Sequence, residues 1–132
     1  MPHLRLSLSD EASADRTDLP ALAAALTALT ARTLHKDPSL TTLRVDRIAP
    51  GHWFAAGRPL PAGQRAHQLE IQVTAATNSD TEIEAWLAGA DALLREALGG
   101  TERPPCYLVV QTLDAAHWGY NGLSQARRRT AR

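Results

Sequence analysis

Met1-Pro2-His3-Leu4-Arg5-Leu6-Ser7-Leu8-Ser9 sets leucines at 4, 6 and 8 against polar neighbours, the period-two pattern of a strand with one buried face. Proline has no N–H to give to a ladder, so it belongs at the first residue of a strand or on an edge. Pro2 occupies that place, with one residue ahead of it. If Met1 is an initiator and is removed, as a small following residue such as proline permits, Pro2 carries a free secondary amine anchored to a sheet. An α-amino group titrates at about 7.7–8.0, and apolar surroundings lower that value by disfavouring the charged form. Such an amine is a candidate general base near neutral pH. The alternative is a strand-start proline whose nitrogen stays acylated by Met1.

Further along, the pattern restarts. His67-Gln68-Leu69-Glu70-Ile71-Gln72-Val73 alternates like the first strand, and the two halves superpose at a numbering difference of 65: Leu4/Leu69, Leu6/Ile71, Leu8/Val73, Leu22/Leu87, Leu29/Leu94, Leu43/Leu108, Val45/Val110, His52/His117, Trp53/Trp118 and Gly57/Gly122. An ungapped repeat of strands, helices and a His-Trp pair is the strongest signal in the chain. Pro2 pairs with His67 at that offset.

Within the first repeat, the polar segment 10–16 leads to Thr17 and Asp18, both candidate N-caps before Leu19-Pro20. Leu19, Leu22, Leu26 and Leu29 then recur at helical spacing to about Leu34, and His35-Lys36-Asp37-Pro38 ends the helix. Leu43, Val45 and Arg47-Ile48 predict a second strand, residues 49–57 a turn-rich excursion, and 58–66, with Pro59, Pro61 and Gly63, a linker. In the second repeat, Ser79 with Glu82 forms a capping box ahead of Ile83, Trp86, Leu87, Ala90, Leu94 and Leu98, and Gly99-Gly100 stands at the expected left-handed cap. A strand over Cys106–Leu113 follows, then His117-Trp118-Gly119-Tyr120-Asn121-Gly122 and a basic tail over 123–132.

Each repeat is thus a β-α-β unit, whose crossover makes its two strands parallel. The expected architecture is α+β: two tandem β-α-β repeats (2–57 and 67–122) forming a four-stranded mixed sheet with two helices on one face, in a single domain. Arg5, Ser7, Gln68, Gln72 and Val73 cannot all be covered by two helices, which predicts an oligomer or a wet face.

The 132 residues suit one domain of ordinary size. Fourteen basic and fourteen acidic residues cancel, giving no general reason to expect nucleic acid or an anionic membrane as partner. The lone Cys106 excludes an internal disulfide framework, and no run approaches a membrane span or a signal-peptide core, so a cytoplasmic protein is expected. Five histidines lack metal-ligand spacing.

Taken together, the repeat and Pro2 resemble the tautomerase superfamily, the group of 4-oxalocrotonate tautomerase, 5-carboxymethyl-2-hydroxymuconate isomerase and macrophage migration inhibitory factor. Met1-Pro2-His3, Ser9-Asp10 and Asp18-Leu19-Pro20-x-Leu22 are similar to the start of the hydroxymuconate isomerases. Ser39-Leu40-x-x-Leu43-Arg44-Val45 with Gly51-His52-Trp53 is similar to the oxalocrotonate tautomerase segment that carries a substrate-binding arginine. Tyr107, with Ala115-Ala116 and Gly119-Tyr120-Asn121, resembles the last strand and turn of the inhibitory-factor branch, and Lys36 lies near that branch's pocket lysine. The resemblance implies a homotrimer and a cofactor-free keto–enol tautomerase of a small unsaturated 2-oxo or 2-hydroxy acid, in which the proline amine takes a proton from the enol or dienoate and returns it at carbon. Relatives that hydrate or dehalogenate unsaturated acids with a protonated proline, and a non-catalytic trimeric interaction protein, are the alternatives. His67 stands where a second proline would be, so each chain offers one amine site. The arginine expected after the first strand falls near Glu11 or Ala12, and Val109 replaces Arg44 in the second repeat.

Each candidate also has a plainer reading. Arg44 is either a charge-assisted clamp on a carboxylate or enolate oxygen or a solvated strand arginine. Lys36 is either a pocket cation or a complement to the helix dipole. Tyr107 is either a hydroxyl donor or a packing residue. Trp118, Tyr120 and Trp53 either wall an apolar pocket that keeps the amine neutral or pack around an Asn121-Gly122 hairpin turn. Cys106 reads as a small core residue. Arg127-Arg128-Arg129 and Arg132 read as a solvated end or a subunit contact, since nothing aromatic is interleaved with them.

Overall fold

The computed structural model describes residues 2–9, 17–99 and 102–130. Expectations for Met1, the polar segment 10–16, Gly100 and Arg132 lie outside that range. β1 (His3–Ser9) is followed by α1 (Leu19–Leu34), β2 (Thr42–Ile48), a short pair β3 (Phe54–Ala55) and β4 (Arg58–Pro59), β5 (His67–Thr74), α2 (Asp80–Leu98), β6 (Leu108–Leu113), a second short pair β7 (Gly119–Tyr120) and β8 (Leu123–Ser124), and α3 (Gln125–Thr130). The main sheet has the order β2-β1-β5-β6. β1 is parallel to β2 and β5 to β6, while β1 and β5 run antiparallel at the centre.

Alternation sends Leu4, Leu6, Leu8, Leu69, Ile71 and Val73 to one face of the sheet, where both long helices cover them. Val73 therefore belongs to the core, not to the open face. From α1 come Leu22, Leu26, Leu29 and Leu34, and from α2 Trp86, Ala90, Leu94 and Leu98. Burying each large apolar side chain contributes roughly 1.5–3 kcal/mol. Trp86, fully buried, donates its indole N–H to Thr30 Oγ1 at 3.0 Å, and that hydroxyl donates to Leu26 O at 2.8 Å. The helix pair is therefore polar-satisfied where it is deepest.

The helix ends follow local chemistry. Asp18, not Thr17, caps α1, its Oδ1 accepting from Ala21 N at 3.1 Å. His35 ends that helix in the left-handed region, with φ 56°. Ser79 and Glu82 form the capping box on α2 in both directions. Gly99 has φ 69° but an extended ψ of −171°, so it stops α2 without the left-handed cap that its sequence suggests. Two boundaries also move. The expected linker begins inside the β3–β4 pair, and the expected basic tail is β8 plus α3. In addition, β6 starts at Leu108, with Cys106 and Tyr107 ahead of it.

Candidate functional site

Pro2 is buried where β1 begins. Its carbonyl accepts from Thr42 N at 3.3 Å, which ties the start of β1 to the start of β2, and His3 Nδ1 lies 2.8 Å from Thr42 Oγ1. A cleft of about 450 Å³ opens beside it, walled by Leu40, Thr42, Gln72, Trp118 and Tyr120. Gln72 arrives by register, because the antiparallel pairing of β1 and β5 sets it opposite His3. The wall of Trp118, Gly119, Tyr120 and Asn121 is the β7–β8 hairpin, carried over the cleft from the far end of the second repeat.

Several bonds fix that hairpin. The Trp118 indole donates to Thr74 Oγ1 at 3.1 Å. At its turn, Asn121 (φ 52°) and Gly122 (φ 83°) both take positive φ, the Asn-Gly signature of a two-residue hairpin loop. The backbone of α3 seals the other side: Gln125 N donates to Trp118 O at 2.9 Å and Ala126 N to Ala115 O at 2.8 Å. Arg128 Nη2 donates to Tyr120 O at 2.7 Å, and its guanidinium carbon lies 3.7 Å from the Tyr120 ring centroid.

The sequence candidates divide. Pro2, Trp118 and Tyr120 meet in one cleft, and Arg44, Lys36 and Tyr107 do not line it within this chain. Arg44 sits on β2 opposite Arg5, on the sheet face away from the helices, with its Nε 3.7 Å from Asp46 Oδ2. Lys36 Nζ donates to Thr77 Oγ1 at 2.9 Å; burial lowers its pKa, Glu82 pulls it back up and Arg129 lowers it further. Tyr107 is 69% exposed and stands ahead of the edge strand β6. Trp53 belongs to the first-repeat counterpart of the cleft wall. Thr42 and Gln72 carry no motif, Leu40 falls in the Ser39-Leu40-x-x-Leu43 segment without a pocket role assigned to it, and Arg128 sits within a run of basic residues.

At the repeat-related position, His67 is fully buried, and its Nε2 donates to Asp91 Oδ1 at 3.0 Å. Asp91 in turn accepts from Arg95 Nε at 2.7 Å. His67 Nδ1 is buried without a partner. Burial lowers the imidazole's pKa, more than Asp91 raises it. The first repeat holds Leu26 and Thr30 where the second holds Asp91 and Arg95.

The two-repeat α+β fold, with Pro2 lining a cleft at the start of its first strand, is shared with solved structures. No family model matches the sequence, and no curated protein does. Among solved structures, a fused 4-OT symmetric trimer is similar, with a TM-score of 0.78 and 15% identity over 94% of this chain and 96% of that one. A member of the cis-3-chloroacrylic acid dehalogenase family gives 0.71 and 17% over 96% and 90%. The macrophage migration inhibitory factor-like protein of Entamoeba histolytica gives 0.69 and 17% over 93% and 97%. The likeness to all three is one of fold.

Proposed function

We propose that this protein is a cofactor-independent keto–enol tautomerase of a small unsaturated 2-oxo or 2-hydroxy acid, with the amine of Pro2 as general base once Met1 is removed. The observation that carries the reading is the burial of Pro2 in a cleft walled by Trp118 and Tyr120. Such surroundings disfavour an ammonium and keep the amine able to accept a proton near neutral pH. The amine takes the enol O–H proton and, as the ammonium, returns it to carbon, so the base is regenerated and no redox partner is needed. Tyr120 supplies a hydroxyl donor for the developing oxyanion.

The chain assembles, in this reading, as a homotrimer, like the fused 4-OT trimer whose fold it shares. Arg44 and Tyr107, exposed at opposite edges of the sheet, are then available to the cleft of a neighbouring copy as carboxylate and oxyanion ligands. Lys36 belongs to the cationic surround of its own cleft. A hydratase or dehalogenase reading needs an acidic residue at the site, and no carboxylic acid is among the described residues that line the cleft.

The test is ketonisation of the phenylpyruvate enol by the wild-type protein, whose intact mass shows whether Met1 is gone, and by Pro2→Ala. The expected result is a loss of about 10²–10⁴-fold in kcat/KM for a variant that stays folded. Equal turnover by the two proteins would remove the amine from the mechanism.

A further inference from the structure

Arg128 stacks on a residue of the cleft wall and does not itself line the cleft. Its guanidinium covers one side of the Tyr120 ring at 3.7 Å from the centroid, and it is not among the residues lining the cleft. One ring thus both lines the cleft and carries the cation. Nη2 is anchored on Tyr120 O at 2.7 Å, while Nε is buried and makes no hydrogen bond. Among the described residues no carboxylate pairs with this arginine. Arg128 is half-buried, and a partly buried charge is screened less than an exposed one.

Among the described residues the cleft lining contains no Lys, Arg, Asp or Glu; its ionisable side chains are those of His3 and Tyr120. Within one chain, the counter-charge for an anion in the cleft comes from outside the described lining. An aromatic face normally repels an anion, because its π cloud is negative. A guanidinium stacked on the ring draws on that cloud and adds an attractive field.

We infer that Arg128, acting through the ring of Tyr120, is the positioning residue that makes this cleft select a planar, conjugated carboxylate over its uncharged analogue. The inference rests on the proposed reading of the cleft as a carboxylate site, not on turnover. It also gives the basic tail a role: α3 docks along residues 115–120 through three hydrogen bonds, from Gln125 N, Ala126 N and Arg128 Nη2. Arg127, exposed one residue earlier, makes no such contact through its side chain.

The experiment compares cinnamate with cinnamamide, two planar ligands of nearly equal shape, by titrating each into the protein and following the Trp118 indole N–H in two-dimensional NMR. The wild type should bind the acid about 10-fold more tightly than the amide, a size expected for one charge acting across a ring in a medium of intermediate dielectric. Arg128→Gln should bring the two affinities within about twofold of each other. Arg127→Ala should leave the ratio unchanged. A purely structural role for Arg128 would loosen the hairpin and weaken acid and amide alike, so the ratio separates the two roles. Arg128→Lys keeps the charge and guards against misfolding of the glutamine variant; it should retain an intermediate ratio. A glutamine variant with an undiminished ratio, or a lysine variant with none, overturns the inference while leaving the tautomerase reading intact. Failure of the wild type to bind either ligand overturns both.

Discussion

His67 is fully buried, and its Nδ1 has no hydrogen-bond partner. Because Nε2 already donates to Asp91, a second proton would have to sit on a nitrogen with nothing to accept from it, which is why burial outweighs the carboxylate and lowers the pKa. The sign of the pH dependence follows. The folded-state pKa lies below the unfolded value of about 6.5, so the unfolded chain binds more protons as acid is added. Stability is full above about pH 6.5 and falls below it, with a slope for this one site of at most about 1.4 kcal/mol per pH unit. Asp91 titrates lower: burial raises its pKa, but Arg95 and His67 together hold it below the ordinary carboxylate value. Thermal unfolding at pH 7.5, 6.5 and 5.5 should show the wild type losing stability across the lower interval. His67→Gln, which has no proton to gain, should lose less. Parallel pH profiles for the two proteins would mean that His67 is not the titrating group. At this scale the sequence was partly legible. The 65-residue offset showed that His67 replaces Pro2, but the pairing with Asp91 depends on how β5 lies under α2, and no local pattern encodes that.

The two short hairpins solve one backbone problem with different residues. Both need two consecutive residues at positive φ: Asn121-Gly122 in the second repeat and Ala56 (φ 53°) with Gly57 (φ 77°) in the first. Asparagine tolerates that region, whereas alanine crowds its Cβ against the following carbonyl at about 1–2 kcal/mol. Ala56→Asn should therefore stabilise the protein by about 0.5–1 kcal/mol, read as a shift in denaturant midpoint at constant slope. An unchanged or lower midpoint would show that the turn relaxes around Ala56. Gly119 answers a different need, since a Cβ there would overlap the carbonyl oxygen of Leu123 on the facing strand. The hairpin that carries Trp118 and Tyr120 over Pro2 therefore closes only on a glycine. The long elements announced themselves through sustained alternation and 3.6-residue spacing. The two-residue strands of the hairpins are too short for any period to show, and α3, with six residues and three adjacent arginines, has no apolar stripe. That is why Arg58–Pro59 read as linker and Arg128 as solvated tail.

The repeat is carried by the ladders themselves. His3 pairs with Thr42 and Leu69 with Leu108, a separation of 39 in both parallel pairs, and the central antiparallel register maps onto itself when the halves are exchanged. One approximate two-fold axis thus runs between β1 and β5, with both helices on one side. The other side is left with Arg44, Arg5, Glu70 and Val109 in a row across all four strands. Val109 is 40% exposed there, a β-branched residue with no helix to cover it. If the proposed trimer is built on this face, Val109 is buried by a neighbouring copy. Val109→Lys then separates assembly from folding. Within one chain, the lysine sits opposite Glu70, a favourable cross-strand pair worth roughly 0.2–1 kcal/mol, so the monomer fold is not weakened. Between chains, it places an ammonium where an apolar contact stood, and a desolvated charge without a partner is costly. Sedimentation should give three copies for the wild type and a shift to one for the variant, with far-UV dichroism unchanged. Thermal stability of the wild type should rise with protein concentration and that of the variant should not, because only the wild type gains by mass action. A variant that still sediments as a trimer would move the interface away from the open sheet face, and with it the route by which Arg44 and Tyr107 reach another copy's cleft.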